Sequence, residues 1–94
     1  MRWAYGVTCV PERFETTLRK TLKSLQKAGF PDPVLYIDGY TASTIPFRLR
    51  TECNRERQGV AKKWLISFVR LYLSDPIADV YAMFQDDIVL CTNT

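Results

Sequence analysis

The sequence predicts a single α/β domain with a mostly parallel sheet, in the order β-α-β-loop-α-β. Two observations predict it: three short, nearly continuous apolar segments are typical of buried strands, and two segments with helical spacing of apolar residues alternate with them. The chain has 94 residues, enough for at most one small domain. Its 47% hydrophobic and 13% aromatic content indicates a packed core and not a disordered segment.

The chain opens with an apolar, β-rich segment at residues 3–10 (WAYGVTCV), which Pro11 ends. A helix is predicted next, because apolar residues then recur at helical spacing. These residues are Phe14, Leu18, Leu22, Leu25 and Ala28. Gly29 stands where a helix C-cap favours a left-handed residue and Pro31 comes soon after it, so we expect the helix to end there.

A second buried strand is predicted at residues 34–37 (VLYI), before the Asp38-Gly39 pair. Residues 39–58 are mainly polar and are expected to form one long loop. Within that loop, the alternation of apolar and polar residues at 47–50 allows a short edge strand.

Helical spacing returns after Gly59, and Asp75-Pro76 ends it. The apolar positions are Val60, Ala61, Trp64, Leu65, Phe68, Leu71 and Tyr72, and the aromatic residues among them are expected in the core. A third strand is predicted at residues 80–84 (VYAMF), and the turn Gln85-Asp86-Asp87 comes directly after it. Three strands are few for a parallel sheet, so we expect a truncated chain, part of a larger domain, or one that completes itself by self-association.

Composition excludes several classes of protein. The chain has no histidine, which removes Ser-His and Cys-His nucleophiles and histidine-ligated zinc. Its three cysteines form no C-x-x-C pair, and reduced thiols in a cytoplasmic protein are expected. A net charge of +3 is too weak to indicate nucleic-acid binding. Neither a signal peptide nor a transmembrane segment is predicted.

Polar residues stand at the ends of all three predicted strands, at residues 8–13, 38–39 and 85–87. Because the carboxyl ends of parallel strands share one edge of a sheet, we expect these residues to converge where open α/β sheets bind ligands. The first strand-helix turn has no G-x-G-x-x-G, and the chain has no P-loop motif, so neither a dinucleotide fingerprint nor a P-loop NTPase is indicated.

The adjacent carboxylates Asp86 and Asp87 suggest a metal site. Two neighbouring carboxylates repel each other, and Mg²⁺ or Mn²⁺ relieves that repulsion while leaving positions open for substrate phosphates. Taken alone, however, such a pair is more often a solvated turn, or Asp87 caps the next segment of the chain.

The run at residues 80–88 resembles the hydrophobic strand and "DxD" turn of GT-A-fold glycosyltransferases, the family-2-like nucleotide-diphospho-sugar transferases, with Gln85 in place of the usual first acid. Residues 8–13 look like that family's first nucleotide-contacting turn, and Asp38-Gly39 stands where these enzymes place an acid near the nucleoside. Residues 54–59 with Lys62 and Lys63 look like its Asn…Gly…basic segment. The resemblance implies a partial Rossmann-like, GT-A-type three-layer sandwich.

By this resemblance, Asp87 would be the direct metal ligand for Mn²⁺ or Mg²⁺, with Asp86 supporting the ion's water shell and Gln85 facing the ribose. Asp38 would bind the nucleoside. The remaining nucleotide-sugar-binding residues would be Thr8, Pro11, Arg13 and Lys62.

The resemblance implies the nucleotide-sugar-binding portion of a metal-dependent glycosyltransferase, inactive alone because the acceptor-binding half of such enzymes comes after the DxD strand. The alternative is a non-catalytic small α/β interaction or remnant domain. In that case Asp38-Gly39 is an ordinary turn, and the arginines at 48, 50, 55 and 57 form a solvated loop.

Overall fold

The computed structural model of the protein describes residues 1–39, 48–54 and 56–86. The described residues form four strands, β1 (Trp3–Cys9), β2 (Val34–Asp38), β3 (Thr51–Asn54) and β4 (Val80–Gln85). They also form two α-helices, α1 (Arg19–Lys27) and α2 (Val60–Ser74). None of the described helices is long and apolar enough to cross a membrane.

The four strands form one parallel sheet in the order β3-β2-β1-β4. The predicted parallel α/β architecture is therefore confirmed. β1 lies inside the sheet and pairs with β2 through residues 6–9 and with β4 through residues 3–8. This arrangement brings the carboxyl ends of β1, β2 and β4 to one edge.

The prediction of one long loop at residues 39–58 is wrong for residues 51–54. These residues form β3 and pair with residues 35–38 of β2. Residues 48–50 of the suggested edge strand precede β3 and are not part of it. The sequence of β3, TECN, has no apolar run because β3 lies at the edge of the sheet, where backbone pairing with β2 suffices to hold it. Residues 40–47 lie outside the described ranges.

The two helices lie on opposite faces of the sheet. One core joins the sheet to the first helical segment and contains Val7, Cys9, Phe14, Leu18, Leu25, Leu35 and Ile37. On the other face, Leu71 of α2 packs with Ala4 and Tyr36. The chain moves in one direction across the sheet from β1 to β2 and in the opposite direction from β3 to β4. Because crossovers between parallel strands are right-handed, these two connections place their helices on opposite faces of the sheet. A three-layer, Rossmann-like arrangement results.

The first helical segment is less regular than predicted. It begins with a 3₁₀ turn at Pro11–Arg13 and a π-helical turn at Phe14–Leu18, so regular α-helix covers only Arg19–Lys27. Its end is as predicted, because Gly29 has a φ of 99° and Phe30 N–H donates to the Leu25 carbonyl at 2.8 Å.

The buried face of α2 is also turned relative to the prediction. Lys63, Ser67 and Leu71 form its most buried row, whereas Tyr72, expected in the core, is half exposed. Four-residue spacing places that row on one side of the helix, which is the side against the sheet.

Gly6 of β1 lies close to Tyr36 of β2. A Cβ atom at position 6 would lie 2.7 Å from Cε2 of Tyr36 and 3.0 Å from the carbonyl oxygen of Val34. Tyr36 is completely buried, so its ring has little room to move away. Glycine is therefore required at this position by close packing.

We expect Gly6→Ala to lower the free energy of unfolding by about 1–3 kcal/mol, because the added methyl group overpacks the sheet. Urea denaturation followed by circular dichroism measures the change. The double variant Gly6→Ala/Tyr36→Leu, compared with Tyr36→Leu alone, should show a smaller effect of the alanine, because the contact with the ring is gone and only the 3.0 Å contact with the Val34 carbonyl remains. An equal effect in both backgrounds would show that the contact with Tyr36 is not the cause.

Candidate functional site

A cleft opens at the carboxyl edge of the sheet, where the strand order reverses between β1 and β4. Its volume is about 340 Å³. It receives the ends of three strands, the turn after β1 and the first turn of α2. The described residues that line it are Thr8, Cys9, Val10, Glu12, Arg13, Asp38, Arg57, Val60, Lys63, Gln85 and Asp86.

Asp86 connects the end of β4 to the turn after β1. The residue is only 5% exposed, and its carboxylate accepts hydrogen bonds from the Val10 amide at 3.3 Å and from Arg13 Nη1 at 3.0 Å. Its backbone carbonyl accepts a 2.8 Å hydrogen bond from the Thr21 hydroxyl. A buried carboxylate needs such partners, so Asp86 holds β4 and the β1-α1 turn together at the cleft.

Asp38 at the end of β2 holds the segment that leads into α2. It accepts hydrogen bonds from Asn54 Nδ2 at 2.9 Å, from the Gln58 amide at 2.7 Å and from the Gly59 amide at 2.9 Å. Burial alone would raise the pKa of Asp38, but these hydrogen bonds and nearby Lys63 outweigh it, and the pKa is lowered. The carboxylate is thus ionised and orders the start of α2.

Lys63 approaches the cleft from the first turns of α2. It is 5% exposed, and its ammonium group donates to Asn54 Oδ1. Burial lowers the pKa of Lys63, although the negative charge of Asp38 opposes this shift. A partly desolvated cation therefore lies beside the buried carboxylate.

Glu12 and Arg57 form an ion pair at the mouth of the cleft. Arg57 Nη1 and Nη2 donate to the two carboxylate oxygens of Glu12 at 3.0 and 2.9 Å. This hydrogen bonding lowers the pKa of Glu12. The Arg57 guanidinium also lies against Gly39, where a Cβ would be 3.2 Å from its Nε. Both side chains are about half exposed, so water or a bound anion can compete for the pair.

Cys9 contributes a thiol to the cleft wall. Burial, and secondarily the charge of Asp86, raises the pKa of Cys9 to about 12. The thiol is therefore protonated near neutral pH, and we assign it to packing, consistent with its place in the core below α1.

The described lining of the cleft is formally neutral. Its three cations, Arg13, Arg57 and Lys63, are matched by three carboxylates, Glu12, Asp38 and Asp86. Arg13 and Arg57 each contact one of these acids directly, and Lys63 reaches Asp38 through Asn54. An anionic ligand therefore meets no excess of positive charge from these side chains.

Five of the residues predicted from the sequence line the cleft, namely Thr8, Arg13, Asp38, Gln85 and Asp86. Pro11 and Lys62 are not among the lining residues, and Asp87 lies outside the described ranges. Lys63 takes the place expected for Lys62. Lys63, Ser67 and Leu71 are spaced four residues apart and form the buried row of α2. This spacing distinguishes the two lysines in the sequence, because Lys63 belongs to the row that faces the sheet and Lys62 does not.

The described ranges contain no group of three or more acidic or cysteine side chains placed to hold a metal ion. Mg²⁺ bound with a substrate phosphate commonly uses only one or two protein carboxylates, and waters and phosphate oxygens complete its coordination. Asp86 at the cleft, with Asp87 next to it in sequence, fits that smaller donor set.

Comparison of the chain with protein-family models, with curated proteins and with solved structures gives no match.

We expect Asp38→Asn to lower the free energy of unfolding at pH 7 by about 1–3 kcal/mol, because the amide nitrogen cannot accept the N–H groups that now face a carboxylate. The folded-state pKa of Asp38 lies below its ordinary value of 3.8, so its contribution is present above about pH 3.8 and is lost as the pH falls through the folded-state pKa. The difference between wild type and variant should therefore shrink in acid.

Chemical denaturation between pH 3 and pH 7 measures this difference, and Asp32→Asn is the matched control, because Asp32 is exposed before β2. Equal stability of wild type and Asp38→Asn at pH 7 would show that the hydrogen bonds to Asp38 do not support the fold.

Proposed function

We propose that this chain is the nucleotide-sugar-binding portion of a metal-dependent glycosyltransferase with a GT-A-type arrangement. The observation that carries the proposal is the cleft at the reversal of strand order, into which the ends of β1, β2 and β4 bring Thr8, Asp38 and Gln85-Asp86. Parallel α/β sheets bind nucleotides at this position.

The size of the cleft supports a small-molecule ligand. Ligand pockets commonly measure about 300–1,000 Å³, and this one measures about 340 Å³ over the described residues. Thr8, Gln85 and Asp86 offer hydroxyl, amide and carboxylate groups suited to the polar edges of a nucleoside.

The charge of the cleft supports a metal-dependent mode of binding. A nucleotide diphosphate is an anion, but the cations of the described lining already face carboxylates. Asp87, with Asp86 beside it, would hold a divalent ion, which would supply the missing positive charge and Lewis-acid stabilisation of the diphosphate leaving group. Mn²⁺ and Mg²⁺ both suit carboxylate and phosphate oxygens.

The hydrogen bonds of Asp38 leave it a limited role toward a nucleoside. A carboxylate accepts about four hydrogen bonds, and three donors are already in place, two on Oδ1 and one on Oδ2. We assign the remaining acceptor position to a nucleoside hydroxyl or N–H group. We assign Gln85 to the ribose and Arg13, through its guanidinium beside Asp86, to the same pocket.

Isothermal titration with a panel of nucleotide-diphosphate sugars tests the proposal. We expect binding in the presence of Mn²⁺ and loss of most of it when the metal is chelated, because the ion supplies the charge that the lining lacks. Asp87→Ala should weaken metal-dependent binding at least about tenfold. Asp32→Ala, outside the residues that line the cleft, should leave binding unchanged.

Two outcomes of this titration count against the proposal. No binding by a folded sample refutes nucleotide-sugar recognition itself. Binding that is equal with Mn²⁺ and with chelator, or unaffected by Asp87→Ala, refutes the metal site and leaves nucleotide recognition standing.

One observation favours the second candidate, a small α/β interaction domain. Large apolar side chains of α2 point away from the sheet and are exposed, among them Leu65, Val69 and Leu73. This surface has no role in binding a nucleotide, and an interaction domain would use it to bind another protein chain.

A further inference from the structure

The outward side of α2 is apolar along its length. Leu65, Val69 and Leu73 are 61%, 51% and 68% exposed, and four-residue spacing aligns them in one row, here called the outer row. Tyr72 lies beside the outer row and is half exposed. The sheet-facing row contains Lys63 and Ser67, so an isolated chain leaves the more apolar side of α2 in contact with water.

We propose that the outer row of α2 is a self-association surface, which packs antiparallel against the same row of a second copy of this chain. Self-association through the outer row does not depend on nucleotide binding.

The outer row is symmetric about its centre. Leucine stands four residues before and four residues after Val69. An interface with twofold symmetry must be complementary to itself. In an antiparallel pair centred on Val69, each Leu65 faces the partner's Leu73 and the two Val69 side chains face each other, so every apolar side chain meets another.

Charge favours the same arrangement. Lys62 is the charged residue on the same side of α2 as the outer row, one turn before Leu65, whereas Arg70 lies on the flank of the helix and is paired with Glu52. Antiparallel packing places each Lys62 near the C-terminal end of the partner helix, where the helix dipole attracts a cation. A parallel pair would instead bring the two lysines together.

The area is that of a standard interface. At their exposed fractions, Leu65, Val69, Tyr72, Leu73 and nearby Ile77 offer roughly 400–500 Å² of apolar surface per copy. A stable interface buries about 800 Å² per partner and is a little more than half apolar, which requires about 450 Å² of apolar surface. If all of it is buried, the exposed apolar surface of α2 together with that of Ile77, which follows α2 in sequence, is therefore enough for one dimer interface.

Sedimentation equilibrium of the full chain over a range of concentrations tests the proposal. We expect a monomer-dimer equilibrium, and Val69→Glu should raise the dimer dissociation constant at least about 100-fold, because it removes two central contacts and places two carboxylates together. Gln26→Glu makes the same charge change on the exposed face of α1 and should have no effect.

A pair of charged substitutions tests whether a second copy of this chain packs on the outer row in antiparallel orientation. Leu65→Lys and Leu73→Glu should each weaken the dimer, and the double variant should recover most of the loss, because each new lysine then faces a new glutamate of the partner. The two positions are eight residues apart on one helix, so the recovery cannot arise within a single chain.

Circular dichroism and thermal melting check that each variant is folded, which is expected because the substituted side chains are exposed. A wild-type chain that stays monomeric up to about millimolar concentration overturns the proposal. In that case the outer row is covered by a different partner or by another part of this chain. A dimer that survives Val69→Glu also overturns it and assigns association to another surface. Single variants that weaken the dimer without recovery in the double variant refute the antiparallel register.

Discussion

The need to compensate two buried carboxylates organises one end of this protein. Asp86 and Asp38 lie at the ends of the two strands that flank β1, and both are almost completely enclosed. A buried charge without partners would cost several kcal/mol, so each carboxylate gathers N–H groups around it. Asp86 accepts hydrogen bonds from the Val10 amide and from Arg13. Asp38 accepts them from the Asn54 side chain and from the amides of Gln58 and Gly59. The turn after β1 and the segment before α2 are thereby held on either side of the cleft.

This compensation limits the positive charge that the described lining of the cleft offers to an anion. Because Arg13 and Arg57 are each engaged with an acid of the same cleft, the cations are held in position but their charge is largely cancelled. A nucleotide diphosphate gains little from such a lining unless it brings a metal ion or displaces Glu12 from Arg57. The ion pair at the mouth is the weaker of these two partnerships, since both of its side chains are half exposed and screened by water. The neutrality of the lining is therefore the physical reason for the proposed metal dependence.

The strands β1, β2 and β4 and both helices were predictable from the sequence, because they carry apolar runs or helical spacing. The apolar run of β4 indicated a buried strand, but β4 lies at an edge of the sheet and is only half-buried. β3 was not, because an edge strand with the sequence TECN is held by backbone pairing that leaves no apolar pattern. The convergence of Thr8, Asp38 and Gln85-Asp86 could be predicted from strand polarity alone. The Glu12–Arg57 pair could not, because 45 residues separate its members and neither side chain is constrained by burial.

In α2, the polar residues at the cleft occupy positions that would otherwise pack apolar side chains against the sheet. Its sheet-facing row carries Lys63, which serves the cleft, and Ser67, whose hydroxyl is buried without a hydrogen-bond partner among the described residues. Only Leu71 of that row supplies apolar packing. The outer row of Leu65, Val69 and Leu73 is the more apolar of the two, the reverse of an ordinary surface helix. A helix with a polar inner row buries little apolar surface against the sheet and is stabilised less by that packing. Burial of the outer row against another chain would supply the missing apolar contact area.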